Sequence, residues 1–235
     1  MTQHAAFSPS DFFTQDMAQA YDQRNSRLQP ITECLHFLMH LALNRLPEQA
    51  RILCVGIGTG AEMLSLARHR PDWCFVGVDP SAEMLKVAQF RLADAGIAER
   101  CTLIHGYVDD VVEGPFDAAL SVLVAHFISH DARPAFYRAI HDRLMPGGTF
   151  VSAEISANLD APDFAAMLED WKQVQRLMGA TDDKLTNLGD TLRNTLAVVS
   201  PDRTAELWQE AGFSPPIPFY QAFMIRGWHA MRPAN

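Results

Sequence analysis

Gly56, Gly58 and Gly60 stand at alternate positions directly after the apolar run Arg51 to Val55 and directly before a helical pattern. Glycine is needed at such a junction for two reasons. A side chain would block the approach of a nucleotide to the backbone N–H groups, and the turn demands φ values that other residues disfavour. The next apolar run ends about twenty residues further on in a carboxylate, Asp79. An acid placed there accepts hydrogen bonds from both ribose hydroxyls. Gly56, Ile57, Gly58, Gly60 and Asp79 are therefore expected to hold an adenosine-type cofactor. A glycine turn followed by an unrelated helix-capping Asp is the plainer alternative.

Other residue types suggest less. His126 and His130 lie a helical turn apart, as do His36 and His40, with Glu33 one turn before His36. Packing explains these helices better than ligation does, and no metal site is expected. His126 is still the leading candidate for a general base, because it follows the fourth apolar run on the cofactor side of the sheet. Cys34, Cys54, Cys74 and Cys101 stand singly, which indicates buried small hydrophobes rather than a disulfide framework or a zinc site.

The elements that must position these groups alternate. From about Arg51 to Glu154, short apolar runs alternate with helical patterns, as in β-α-β units with a mostly parallel sheet. The runs are apolar on both faces, as strands between two helix layers must be. Ser81 and Asp131 are expected to cap helices, while Gly96 and the pair Gly147-Gly148 are expected to stop them. A helix ahead of the glycine loop carries Leu35, Leu38, Met39, Ala42 and Leu46 and ends by Pro47. An amphipathic helix with Phe164, Met167, Leu168, Trp171, Val174 and Met178 follows the block, then a second helical stretch from about Lys184 to Val199. Two strands near the end could form an antiparallel edge. The predicted fold is α/β, a Rossmann-like, doubly wound, mostly parallel seven-stranded sheet, with a helical N-terminal segment and a helical cap inserted after strand five. The boundaries are residues 1–48 for the N-terminal part of the cap, 49–156 for the nucleotide-binding core, 157–199 for the cap insertion, and 200–235 for the helix and edge strands that complete the core.

Composition narrows the function. The chain has 235 residues, 48% of them apolar, and a formal net charge of -9 with its Lys and Arg scattered. Nucleic-acid affinity depends on neutralising phosphates, so direct binding of a large RNA or DNA is not expected. No basic leader opens the chain, and no run approaches the roughly 18 apolar residues of a membrane span, so a cytoplasmic protein with a small-molecule substrate is expected.

The glycine loop also reads Gly-x-Gly-x-x-Ala, so an NAD-dependent oxidoreductase is a rival, although none of Tyr21, Tyr107, Tyr137 and Tyr220 has a Lys four residues later. The Gly-x-Gly-x-Gly spacing resembles motif I of the class I S-adenosylmethionine (SAM)-dependent methyltransferases. Asp79-Pro80-Ser81 with Met84 resembles that family's second motif, and Leu144 to Gly148 resembles the stretch before its fifth strand. Within the superfamily the likeness is to the carboxy-SAM synthase branch, over most of the chain. It includes Ala18 to Pro30, the segment following Val122, and the Gln221 region.

The resemblance implies SAM as cofactor and methyl transfer to a small acceptor. Tyr21 and Arg27 would lie against the methionine part, Val108 near the adenine, and Tyr107 and Val122 beside the cofactor. From the placement of the aromatics themselves, the acceptor pocket is expected between the N-terminal segment with Phe12, Phe13 and Tyr21 and the insertion bearing Trp171, lined by Phe223 or Trp228. A homodimer is implied as well. Cys54 and Tyr107 stand where the family has acidic residues, and Gly189 stands where the synthase carries the basic residue that reads its extra carboxylate. Ordinary methyl transfer is therefore the first reading. Carboxy-SAM formation serving tRNA modification is the second, and a non-catalytic SAM-binding protein the third.

Overall fold

The computed structural model describes residue 23 and residues 25–234. A short 3-10 turn, Ser26–Leu28, precedes α1 (Gln29–Ala42). The core then runs β1 (Arg51–Val55), α2 (Ala61–His69), β2 (Cys74–Asp79), α3 (Ala82–Asp94), β3 (Cys101–His105), β4 (Phe116–Val122), α4 (Arg133–Arg143) and β5 (Leu144–Ile155). The cap helices are α5 (Phe164–Leu177), α6 (Asp182–Thr186) and α7 (Leu188–Asn194). Helix α8 (Pro201–Glu210) and the strands β6 (Ile217–Ala222) and β7 (Ile225–Met231) complete the sheet.

The seven strands lie in the order β3-β2-β1-β4-β5-β7-β6. The first five are parallel, while β7 runs antiparallel to β5 and β6 antiparallel to β7. The expected α/β Rossmann-like sheet is thus the observed one. Because β1 pairs with β2 on one side and β4 on the other, the strand order reverses between β1 and β4. Such a reversal opens a crevice at the carboxyl ends of the strands.

Alternation along the strands sends side chains into two cores. Ile52 and Cys54 of β1 join Leu35 and Met39 of α1, Met63 of α2 and Leu85 and Leu92 of α3. Leu53 and Val55 join Tyr137 and Ile140 of α4 and Leu207 and Trp208 of α8 on the other face. Phe150 of β5 lies against Trp208 and stacks on Phe213, with ring centroids 4.4 and 5.1 Å away. Aromatic contacts of this kind fix α8 against β5 beyond what area burial supplies. The cap has a third core, in which Phe164, Trp171, Val174 and Leu192 meet Leu28 and the β6–β7 residues Met224 and Ile225.

Four local expectations need correction. Helix α4 starts at Arg133 after Ala132, without a side-chain cap, so Asp131 does not cap it. The Ser129 carbonyl accepts from both Ala132 and Arg133 N–H, and this turn opens the helix instead. Gly147-Gly148 does not stop α4 either. The chain is already extended at Leu144 (φ -79, ψ 150), ahead of Pro146, which disfavours helical backbone before it. Gly147, at φ +81, shapes an irregularity in β5, where the register with β4 shifts. The stretch from Lys184 to Val199 is not one helix. Asn187 interrupts it, its side chain bonding the Asp183 carbonyl at 3.1 Å, and Val199 forms a bridge to Ser156. Finally, α1 stops at Ala42, short of Leu46.

Candidate functional site

The glycine loop sits at the strand reversal. Gly56 N–H donates to the Val78 carbonyl at 2.7 Å and Gly60 N–H to the Ile57 carbonyl at 2.8 Å, which closes the turn before α2. Gly56, Gly58 and Gly60 all have positive φ, at 69, 52 and 79 degrees. Their neighbourhoods differ. A Cβ on Gly56 would strike Val124, whereas a Cβ on Gly58 would meet no atom of the described residues within 4 Å. The loop is thus packed on one side and open above Gly58.

Asp79, at the end of β2, is 7% exposed. Its Oδ2 accepts Gly58 N–H at 2.8 Å and its Oδ1 accepts Ser81 N–H at 2.8 Å. A carboxylate oxygen has two acceptor directions, so each oxygen keeps one for a ligand hydroxyl. Burial raises the Asp79 pKa, against the lowering effect of the Ser81 and Gly58 N–H groups and of His105. Ser81 then caps α3, its Oγ accepting Met84 N–H at 3.3 Å. The loop after β3 joins the same end of the sheet. Gly106 N–H donates to the Asp79 carbonyl at 3.1 Å, and Tyr107 N–H to Asp110 Oδ2 at 2.7 Å. Strand β4 leaves through Leu123, a non-glycine residue at φ 57, whose N–H donates to the Ala153 carbonyl at 2.6 Å. This strained turn brings Val124 against Gly56.

Residues 52–148 match the family described as Methyltransferase domain. The chain is 26% identical, over 86% of its own length and 86% of the relative's, to carboxy-S-adenosyl-L-methionine synthase of Campylobacter fetus subsp. fetus (strain 82-40). The chain is thus similar to the class I SAM-dependent methyltransferases, with the family match confined to the core from β1 to β5. A structural neighbour, magnesium protoporphyrin IX methyltransferase of Synechocystis PCC 6803 with bound SAH, has a TM-score of 0.65 at 13% identity, with 95% of this chain and 97% of that one covered. Another is a Nostoc punctiforme PCC 73102 protein provisionally described as an O-methyltransferase. It has a TM-score of 0.67 at 18% identity over 92% of this chain, which spans only 59% of that protein's length.

SAM is the cofactor that the methyltransferase-domain match implies, and the residues present fit it. The space above Gly58 admits a ligand, and Asp79 has one acceptor direction free on each oxygen. Around these, Ile57 and Met84 are buried, Val108 lies in the core behind the loop after β3, and Tyr107 is 53% exposed. Pro80 offers its carbonyl to His105 Nε2 at 3.0 Å, and Val122 ends β4 partly buried. The loop, Asp79 and the residues after β3 and β4 are therefore brought together. Arg27 is elsewhere in the hydrogen-bond pattern, donating to the Leu177 carbonyl at the end of α5 at 3.4 Å. Tyr21, Phe12 and Phe13 lie outside the described residues.

Two expected roles change. Trp171 is 2% exposed inside the cap's own core, so it supports the cap instead of lining a pocket; an amphipathic helix gives its largest apolar side chain to packing first. Phe223 in contrast is 46% exposed, at φ 53 in the β6–β7 turn, while Trp228 belongs to the core behind β7. His126 is also buried, at 3% exposure. Burial first, and then the charge of Arg133, bring its pKa down to about 3. The ring stays neutral, and its Nδ1 accepts Ile155 N–H at 3.4 Å, which ties it to the end of β5.

The pH consequence follows from linkage. An unfolded chain protonates His126 near 6.5 while the fold resists to about 3, so this residue's stabilising effect is complete above 6.5 and is lost as pH falls below it. Between pH 7 and pH 5 the wild type is expected to lose about 2 kcal/mol more unfolding free energy than His126→Gln. Urea titrations at the two pH values measure the difference, and equal losses would refute it.

Three features at this end had no sequence signal: Val124 over Gly56, Arg91 bonding Thr59 Oγ1 at 2.8 Å, and a buried ion pair. Arg133 Nη1 meets Glu154 Oε2 at 3.1 Å with both side chains at most 1% exposed. Thr204 donates to Glu154 Oε1 at 2.9 Å, and Arg133 also donates to the carbonyls of Ile128 and Ala197. The Tyr137 hydroxyl faces the same carboxylate without a hydrogen bond of ordinary geometry. One guanidinium thus joins the loop after β4, the end of the cap, and β5.

Proposed function

We propose that this methyltransferase transfers the methyl group of SAM to a small acceptor held where β4 and β5 end beneath the cap. The observation that carries the reading is the glycine loop, open above Gly58 and tied to an Asp79 with acceptor capacity to spare. When bound, SAM supplies a methyl group on a sulfonium leaving group. Asp79 then orients the ribose, and the loop backbone leaves room for the amino-acid tail. Leu123 and Phe223, which hold strained turns at the cap side of the sheet, bound the acceptor space. With His126 neutral and tied to the end of β5, alignment carries most of the catalysis, and the acceptor presents its own nucleophilic lone pair. The acidic surface favours a small molecule over nucleic acid.

A second reading, carboxy-SAM formation, is favoured by the relatives of that name, which align over 86% of this chain. Against it stands Gly189. It has no side chain to supply the basic group that the synthase resemblance calls for at that position. The test is mass spectrometry of the protein incubated with SAM, with and without prephenate, and with a panel of small hydroxyl, amine and thiol compounds. Acceptor-dependent SAH is expected. Carboxylated SAM in the prephenate arm would establish the second reading, and neither product, with no calorimetric binding of SAH, would end both.

A further inference from the structure

Helix α3 holds the glycine loop from behind. Thr59, between Gly58 and Gly60, is 2% exposed, and both of its oxygens accept from Arg91 Nη1 on that helix, the hydroxyl at 2.8 Å and the carbonyl at 3.1 Å. One turn earlier on α3, Ala88 backs the loop, since a Cβ added to Gly60 would lie 3.5 Å from the Ala88 Cβ. The same helix is capped by Ser81. Ser81 N–H is bonded to Asp79 Oδ1, while Asp79 Oδ2 takes Gly58 N–H, each at 2.8 Å. Two successive loop residues are therefore clamped, Gly58 by Asp79 and Thr59 by Arg91.

A residue flanked by two glycines sits in a segment of wide backbone freedom. Left unrestrained, such a segment samples many conformations besides the open one, and a ligand that needs the open one loses affinity by the free energy of selecting it. Hydrogen bonds from a cation are stronger than those between neutral groups, and here two of them leave one nitrogen, so the Thr59 backbone and side chain are fixed together. We infer that Arg91 is a positioning residue of the cofactor site, which acts through Thr59 to keep residues 58–60 in the conformation that SAM meets. The inference rests on the reading of this crevice as a SAM site and adds the group that preorganises it.

SAH calorimetry and hydrogen exchange of the Gly58 and Gly60 amides test it. Arg91→Met is expected to weaken SAH by about 10-fold. In the free protein it is expected to quicken exchange at those two amides, and the difference from wild type should vanish in saturating SAH. Loss of helix packing alone would instead quicken exchange along the whole of α3 and leave the difference when SAH is bound. Arg91→Lys keeps a cationic donor and is expected to recover part of the affinity. Thr59→Val removes the hydroxyl bond and nearly keeps the shape; its effect should be smaller than that of Arg91→Met, and the two together should fall short of the sum of their separate effects. Should Arg91→Met not fold, Thr59→Val and Arg91→Lys carry the same comparison. Undiminished SAH affinity in the folded variants, a Lys variant no better than Met, additive effects, or exchange quickened throughout α3 would overturn the assignment. Wild-type protein that fails to bind SAH would end the SAM reading and the inference with it, whereas wild-type binding with indifferent variants would end the inference alone.

Discussion

Replacing Asp79 with alanine is expected to lower the affinity for SAM and SAH by about 100-fold or more, because two charge-assisted hydrogen bonds to the ribose are lost. The effect has a second source. Asp79 also receives the N–H groups of Gly58 and Ser81, so its loss frees the loop that the cofactor must meet. Asp79→Asn separates the two, since its amide has one acceptor oxygen where two N–H donors point. It is expected to fall between wild type and alanine in SAH calorimetry. Affinity should also depend on pH. Burial places the Asp79 pKa above its ordinary 3.8, so the protonated form gains ground at a higher pH than for an exposed carboxyl. A raised carboxyl pKa stabilises the free fold when protonated, and that stability is lost as pH rises through the folded value. The charge that the cofactor needs is thus a cost to the free protein at neutral pH. SAH affinity is expected to fall with acidification before exposed carboxyls titrate, and an affinity that is flat down to 3.8 would remove Asp79 from the ribose site.

Arg133→Met is expected to cost about 3–5 kcal/mol of stability, since it leaves the Glu154 carboxylate buried without its countercharge. Burial already raises the Glu154 pKa, with Arg133 the largest opposing influence. The double variant Arg133→Met/Glu154→Leu is expected to recover most of the loss, because neither buried charge remains. Urea denaturation of the four proteins closes the cycle. The Ala197 carbonyl also loses its guanidinium donor, so hydrogen exchange around the cap's return at Val198 and Val199 should quicken in both variants. A single-variant cost below about 1 kcal/mol would mean that the pair behaves as a solvated surface contact.

The parts legible in the sequence are those encoded by neighbours along the chain. Gly56, Gly58 and Gly60 must adopt positive φ whatever else surrounds them, and the run that ends at Asp79 is apolar on both faces because both faces are covered. The parts that were illegible depend on residues far apart. His126 reads as a residue beside a strand end, and only the fold reveals that the surrounding core desolvates it and that the Arg133 charge lowers its pKa further. Trp171 reads as a pocket wall until Leu28 and Met224 close over its helix.

The sequence by itself determined the order of strands and helices, the cofactor loop and its acidic partner, since spacing and φ demands act within a few residues. Only the tertiary structure decided which charged groups are paired, which aromatics are spent on packing, and that Arg91 reaches back to Thr59. Those outcomes depend on burial, and burial is set by elements that meet across the sheet from distant points of the chain.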